Sequence, residues 1–177
     1  LSYLDEKGSL DNTNERYELL LHLAMALSEI NFDEAEKLYN QALNLPLEPR
    51  INLGASLNLA ALLMKNGRLK EAIKLTKEVT INVPEVFLGW FNLGIMYRQI
   101  GDLSSALCSY ERAIELNPSH IGSYKNLAIV QFLMGDIVHS RSSFGITLDL
   151  LKIQRRFDEM DALKKELNGI IKLEDAD

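Results

Sequence analysis

The feature that most constrains this chain is a pattern repeated every 34 residues. Trp90, Leu93, Gly94, Tyr97, Gly101, Ala106, Tyr110, Ala113 and Pro118 are followed, 34 places on, by Tyr124, Leu127, Ala128, Gln131, Gly135, Ser140, Phe144, Thr147 and Lys152. The same interval backwards gives Ser56, Leu59, Ala60, Leu63, Gly67, Ala72, Thr76, Val79 and Pro84. A fixed period of this length means a repeat array, in which each unit buries its apolar face only by stacking on a neighbour. Such arrays usually offer a curved binding surface rather than a catalytic pocket.

From Glu15 onward apolar residues recur at three and four, the helical spacing. Breaks fall at Asn66-Gly67, Gly101-Asp102 and Gly135-Asp136 within units, and at Pro84 and Pro118 between them. Glycine supplies the left-handed residue that ends one helix, and proline stops the next from continuing. Each unit therefore reads as helix, tight turn, helix, short loop. Residues 1–14 show no sustained period and are expected to form a flexible leader, with Thr13 or Asn14 as the N-cap of the first helix. The array is expected over 15–154. Beyond it Leu148, Leu151, Phe157, Met160, Leu163 and Leu167 continue an amphipathic pattern. This predicts a C-terminal capping helix over 155–171, with a docking helix as the alternative, and a solvated acidic tail over 172–177. Ala60, Gly94 and Ala128 are expected to face Ala72, Ala106 and Ser140, where close helix approach leaves no room for larger side chains. Trp90, Tyr97, Tyr110, Tyr124 and Phe144 are expected to fill the space between units.

On these residues the chain resembles the tetratricopeptide repeat family. The signature W-x2-L-G-x2-Y, then A-x3-Y, A and P, is complete in residues 87–120 and looser in 53–86 and 121–154. A fourth, N-terminal unit shows in Ala35, Tyr39 and Ala42, placing it at about 16–52. There His22 and Leu23 stand for the leucine and small residue, Asn31 takes the work of the missing glycine, and an insertion carries Pro46 and Pro49. The resemblance implies an all-α, right-handed superhelix, an α-solenoid of four helix-turn-helix repeats plus the capping helix. It also implies a scaffold or adaptor that binds protein and serves complex assembly.

At 100° per residue, one stripe of each first helix lies opposite the core-facing one and must line the concave face. It carries Asn58, Asn92 and Asn126, each 34 apart, whose amides offer a donor and an acceptor to the backbone of an extended peptide. This resembles the asparagine ladder of tetratricopeptide superhelices. Beside the amides stand Leu57, Phe91, Ile95, Ile129 and Phe132, expected as apolar pockets, with Lys65, Arg98 and Lys125 adding positive charge. The expected partner is a protein or peptide segment with apolar anchors and some acidic residues. The alternative is that the leader or the C-terminal helix covers this groove. The carboxylate clamp that holds chaperone C-termini keeps only its middle asparagine here, which argues against that mode.

The net charge of −6 argues against nucleic acid as partner, since phosphate binding needs clustered Lys and Arg. The single cysteine, Cys108, excludes an internal disulfide and fits the cytoplasm or another reducing compartment. No apolar run approaches the length that spans a bilayer. His22, on the expected core stripe, His120 and His139 have no metal or triad spacing with Cys108, so no catalytic residues, cofactor or metal are expected. The chain opens on Leu1, so upstream sequence is expected to have been removed. Two other function classes stay open: the recognition domain of a larger enzyme, for example a transferase, and a self-associating assembly factor.

Overall fold

The computed structural model describes residues 10–174, with side chains from 12 to 168, and the described residues form nine helices. They are α1 (Leu10–Leu27), α2 (Phe32–Leu43), α3 (Leu53–Lys65), α4 (Leu69–Asn82), α5 (Phe87–Gln99), α6 (Leu103–Leu116), α7 (Ile121–Leu133), α8 (Ile137–Ile153) and α9 (Phe157–Glu174). Four antiparallel pairs, α1–α2 to α7–α8, stack in chain order as an all-α solenoid, and α9 follows the last pair.

Local chemistry explains the boundaries. Gly67, Gly101 and Gly135 hold φ of 77°, 80° and 82°, and the next residue's N–H returns to Leu63, Tyr97 or Gln131, closing each first helix. The second helices start on side-chain caps: Asp102 accepts from the Ser105 N–H at 3.1 Å and Asp136 from the His139 N–H at 3.2 Å. The core runs along the stack through Tyr17, Leu20, Ala24, Tyr39, Leu59, Leu93 and Tyr110, none more than 4% exposed.

Several expectations shift. Helix α1 begins by Leu10, so residues 10–14 belong to it rather than to a leader; Thr13 continues its buried stripe of Tyr17, Leu20 and Ala24. Residues 1–9 and 175–177, where the rest of the leader and of the acidic tail would fall, lie outside the described residues. Unit one also sits in a different register. Ala24, not Leu23, is its small residue, because eleven positions separate Ala24 from Ala35 where twelve separate Ala60 from Ala72. His22 is consequently exposed and lies 3.9 Å from Glu18. Asn31 is not a left-handed residue; it is the extended N-cap of α2, accepting from the Glu34 N–H at 3.2 Å. At the Gly94 contact the close neighbour is the ring of Tyr110, which a Cβ on Gly94 would meet at 2.5 Å. In the fourth unit the contact is polar, with Ser140 Oγ donating to the Ala128 carbonyl at 2.8 Å.

Candidate functional site

Successive first helices touch one another, α1 with α3, α3 with α5 and α5 with α7, and no contact of that extent joins successive second helices. The first helices therefore line the inner, concave side. Asn58, Asn92 and Asn126 all lie on them and are half-buried. The amides of Asn58 and Asn92 make no hydrogen bond within the described protein. Asn126 Nδ2 donates to the Gly122 carbonyl one turn earlier at 2.8 Å, which leaves its oxygen as an acceptor.

Asn58 opens on a cleft of about 250 Å³ shared with Met25, Ser28, Glu29, Tyr39, Ala61, Leu62 and Lys65. Its floor is apolar, and the Ser28 and Tyr39 hydroxyls meet there at 3.2 Å. Met25, Ser28 and Glu29 are unit-one groove residues that the 34-residue spacing does not reveal. Their signal is the one-residue register change that hides α1 from that count.

The apolar candidates divide. Phe91 and Ile95 pack on the seam formed by Ala106, Tyr110, Leu127 and Val130, so the scaffold uses part of their surface. The Phe91 ring also stands edge-on to His120 at 4.7 Å and tilted to Tyr110 at 6.0 Å. Leu57 and Ile129 are half-buried, and Phe132 is exposed. The Leu88 and Leu133 side chains lie exposed beside them.

The expected groove cations are mostly engaged. Lys65 pairs with Glu29 of the turn after α1, and Lys125 Nζ lies 3.4 Å from Glu166 of α9. The half-buried Arg98 guanidinium stands beside the buried Tyr110 hydroxyl without hydrogen-bond geometry. Burial pushes the Tyr110 phenol up, and Arg98 offsets part of that shift. His120 caps α7: its Nδ1 accepts from the Ser123 N–H at 3.2 Å, and burial holds its pKa below the ordinary value.

A second cleft, about 500 Å³, opens on the opposite side between α4 and α6. Trp90, Leu93 and Tyr97 form its floor, Lys77, Thr80 and Ile81 one wall, and Ser104, Ser105, Cys108 and Ser109 the other. The Trp90 indole N–H donates to the Pro84 carbonyl at 2.9 Å, and the Lys77 ammonium lies 5.4 Å from the Tyr97 ring centre. Spacing alone gives Trp90 and Tyr97 only a filling role.

Among the described residues no three His, Cys, Asp or Glu side chains gather to hold a metal ion. None of their helices is long and apolar enough to cross a membrane.

Among curated proteins the chain is similar to Protein O-mannosyl-transferase Tmtc3 of Drosophila melanogaster, 28% identical over 123 residues. That match takes in 68% of this chain and 13% of that protein, so the chain spans a small part of the relative's length. Among solved structures it resembles MamA from Desulfovibrio magneticus, with a TM-score of 0.69 at 21% identity, covering 78% of this chain and 77% of that one. A tetratricopeptide repeat protein from Parabacteroides merdae gives a TM-score of 0.70 at 17% identity, over 89% and 68% of the two chains. The likeness to both structures is one of fold. The tetratricopeptide repeat family matches residues 26–85 and 87–120, more than half of the sequence. With four stacked helical pairs, the glycine turns and this match, the chain belongs to the tetratricopeptide repeat family.

Proposed function

We propose that this protein is an interaction scaffold that holds an extended peptide or protein segment along its concave face. The observation that carries the reading is the row of three half-buried asparagines on successive first helices, two of them with wholly uncommitted amides. An amide at a fixed height in each repeat can satisfy both the N–H and the C=O of an extended backbone. Leu57, Phe91, Ile95, Ile129 and Phe132 then take alternate side chains. Because Lys65 and Lys125 are already paired, apolar contact and backbone capture contribute more here than attraction of acidic residues. Engagement of an acidic partner by either lysine would first have to displace Glu29 or Glu166.

The test is affinity capture with the intact chain beside an Asn58→Ala, Asn92→Ala, Asn126→Ala variant shown folded by circular dichroism. The expected result is loss, in the variant, of partners that the wild type holds. Identical partner sets for the two proteins would make the asparagines ordinary solvated residues.

The likeness to a much longer transferase favours a second reading, in which these repeats are the recognition module of a larger enzyme. On that reading the full gene product transfers mannose to protein and the 177-residue segment alone does not. An assay of both for mannosyl transfer separates the readings.

A further inference from the structure

The cleft between α4 and α6 belongs neither to the concave groove nor to the needs of packing. Its volume of about 500 Å³ is twice the roughly 250 Å³ of the cleft at Asn58. Its floor is apolar and aromatic, and the Trp90 ring is fixed in place by its bond to Pro84 while remaining partly exposed. Ile81, at its wall, is 76% exposed. Such a cavity accepts a large apolar side chain presented from outside.

Charge decides what accompanies that side chain. Lys77 sits at the rim, and at 100° per residue Lys74 and Lys70 continue its stripe one and two turns toward the start of α4. Among the described residues none of the three lysines is in an ion pair, unlike the concave Lys65 and Lys125. The carboxylate that acts on Lys77 is Asp102, which already caps α6 through the Ser105 N–H. The Ser104 hydroxyl on the facing wall has no partner among the described residues. The acidic residues of α4, Glu71 and Glu78, lie about 120° and 100° around the helix from Lys77 and flank Lys74; Glu71 is bound by Arg68, and Glu78 lines a separate cleft toward α2 and α3. In a protein of net charge −6, Lys77 at the cleft rim, outside any ion pair among the described residues and with Lys70 further along its stripe, favours a negatively charged visitor and disfavours a positive one. From this geometry we infer that the convex cleft between α4 and α6 is a second docking site, which takes an acidic protein segment with an aromatic or aliphatic anchor residue. The anchor fills the space over Trp90 and Tyr97, and its flanking carboxylates meet Lys77 and Ser104. This site does not depend on the concave reading.

The chain carries its own reporters, since Trp90 is its single tryptophan and Cys108 its single cysteine. The probes are acetylated eight-residue peptides composed of Asp, Glu, Leu, Ile and Phe, and a matched set with Lys in place of the acidic residues. Titration into the intact chain follows Trp90 emission and the rate at which a thiol reagent labels Cys108. The expected result is a saturable Trp90 change and slower Cys108 labelling with the acidic set alone. Lys77→Gln should weaken binding, and Lys77→Glu should weaken it further, by roughly fivefold. Both substitutions are at an exposed position and leave the core intact. The triple asparagine variant should bind the acidic probes as the wild type does, so failure of one site is distinguishable from failure of the other. Equal binding of the two sets, no Trp90 response at millimolar probe, or loss of the response in the asparagine variant would each overturn the assignment.

Discussion

Gly94 shows how tightly one position can be fixed by its neighbour. A Cβ there would lie 2.5 Å from Tyr110 Cε1 and 2.7 Å from Cδ1, and Tyr110 is wholly buried, so the ring has nowhere to go. Gly94→Ala should therefore destabilise the protein by about 3 kcal/mol, the range for overpacking a closed site. Gly145, within α8, has nothing within 4 Å of the place an added methyl would take, so Gly145→Ala should stabilise by about 0.5–1 kcal/mol through helix propensity. Urea denaturation of the two variants tests both signs at once. His120 gives a pH dependence. Its neutral ring accepts from the Ser123 N–H, lies edge-on to Phe87 and Phe91, and has its pKa held below the ordinary value by burial. The unfolded chain therefore takes up this proton at a higher pH than the folded chain does. The contribution to stability is complete above the ordinary histidine value of about 6.5, and it is lost as pH falls from there toward the folded value. Urea midpoints between pH 7.5 and 5.5 should fall less for His120→Asn, which keeps a capping side chain without the titration.

Among the elements, the turn into α9 departs most from what spacing implies. The Arg155 and Arg156 N–H groups return to the Lys152 and Leu151 carbonyls, the same pattern that glycine turns make at 67, 101 and 135. Arg155 adopts φ 57°, a left-handed conformation that costs a residue with a Cβ about 1 kcal/mol. Arg155→Gly should recover about that amount, read as a higher urea midpoint; an unchanged or lower midpoint would mean that the arginine side chain compensates for the strain. The chain then runs into α9 as though opening a fifth repeat, with Met160, Leu163 and Leu167 falling where α7 has Tyr124, Leu127 and Gln131. Lys164 falls where α3, α5 and α7 have Ala60, Gly94 and Ala128. A lysine at the point of closest approach opposes a second helix there, which gives α9 the character of a cap.

At the scale of the whole molecule, the 34-residue period is enough to place α3 to α8, because every glycine turn and proline loop recurs at that interval. It fails where the interval changes: α1 loses its register to a one-residue difference, and the early start of that helix lies in polar residues with no pattern. The asparagine row is legible because it shares the period. The pairing of Lys65 with Glu29 and of Lys125 with Glu166 is not, since these partners lie 36 and 41 positions apart and meet only through stacking. The same stacking implies unequal stability along the array. Inner first helices bury Ala55, Gly89 or Ser123 near the start and Leu62, Met96 or Val130 further on, against the preceding repeat. In α9 the corresponding residues are Glu159 and Glu166, whose side chains are 58% and 61% exposed. At these two positions the seam lacks the apolar burial that joins the inner repeats and is left to Met160, Leu163 and Leu167, so α9 should open without the rest of the array. Amide hydrogen exchange should show α9 less protected than α5 by at least about tenfold. A Glu159→Ala, Glu166→Leu variant gives up two exposed ion pairs of little worth, with Arg156 and Lys125, and gains apolar contact with α7 and α8, so protection in α9 should rise toward that of α5 while α3 stays unchanged. Equal protection of α9 and α5 in the wild type would instead show that the array opens as one cooperative unit, with the charged seam as firm as the apolar ones.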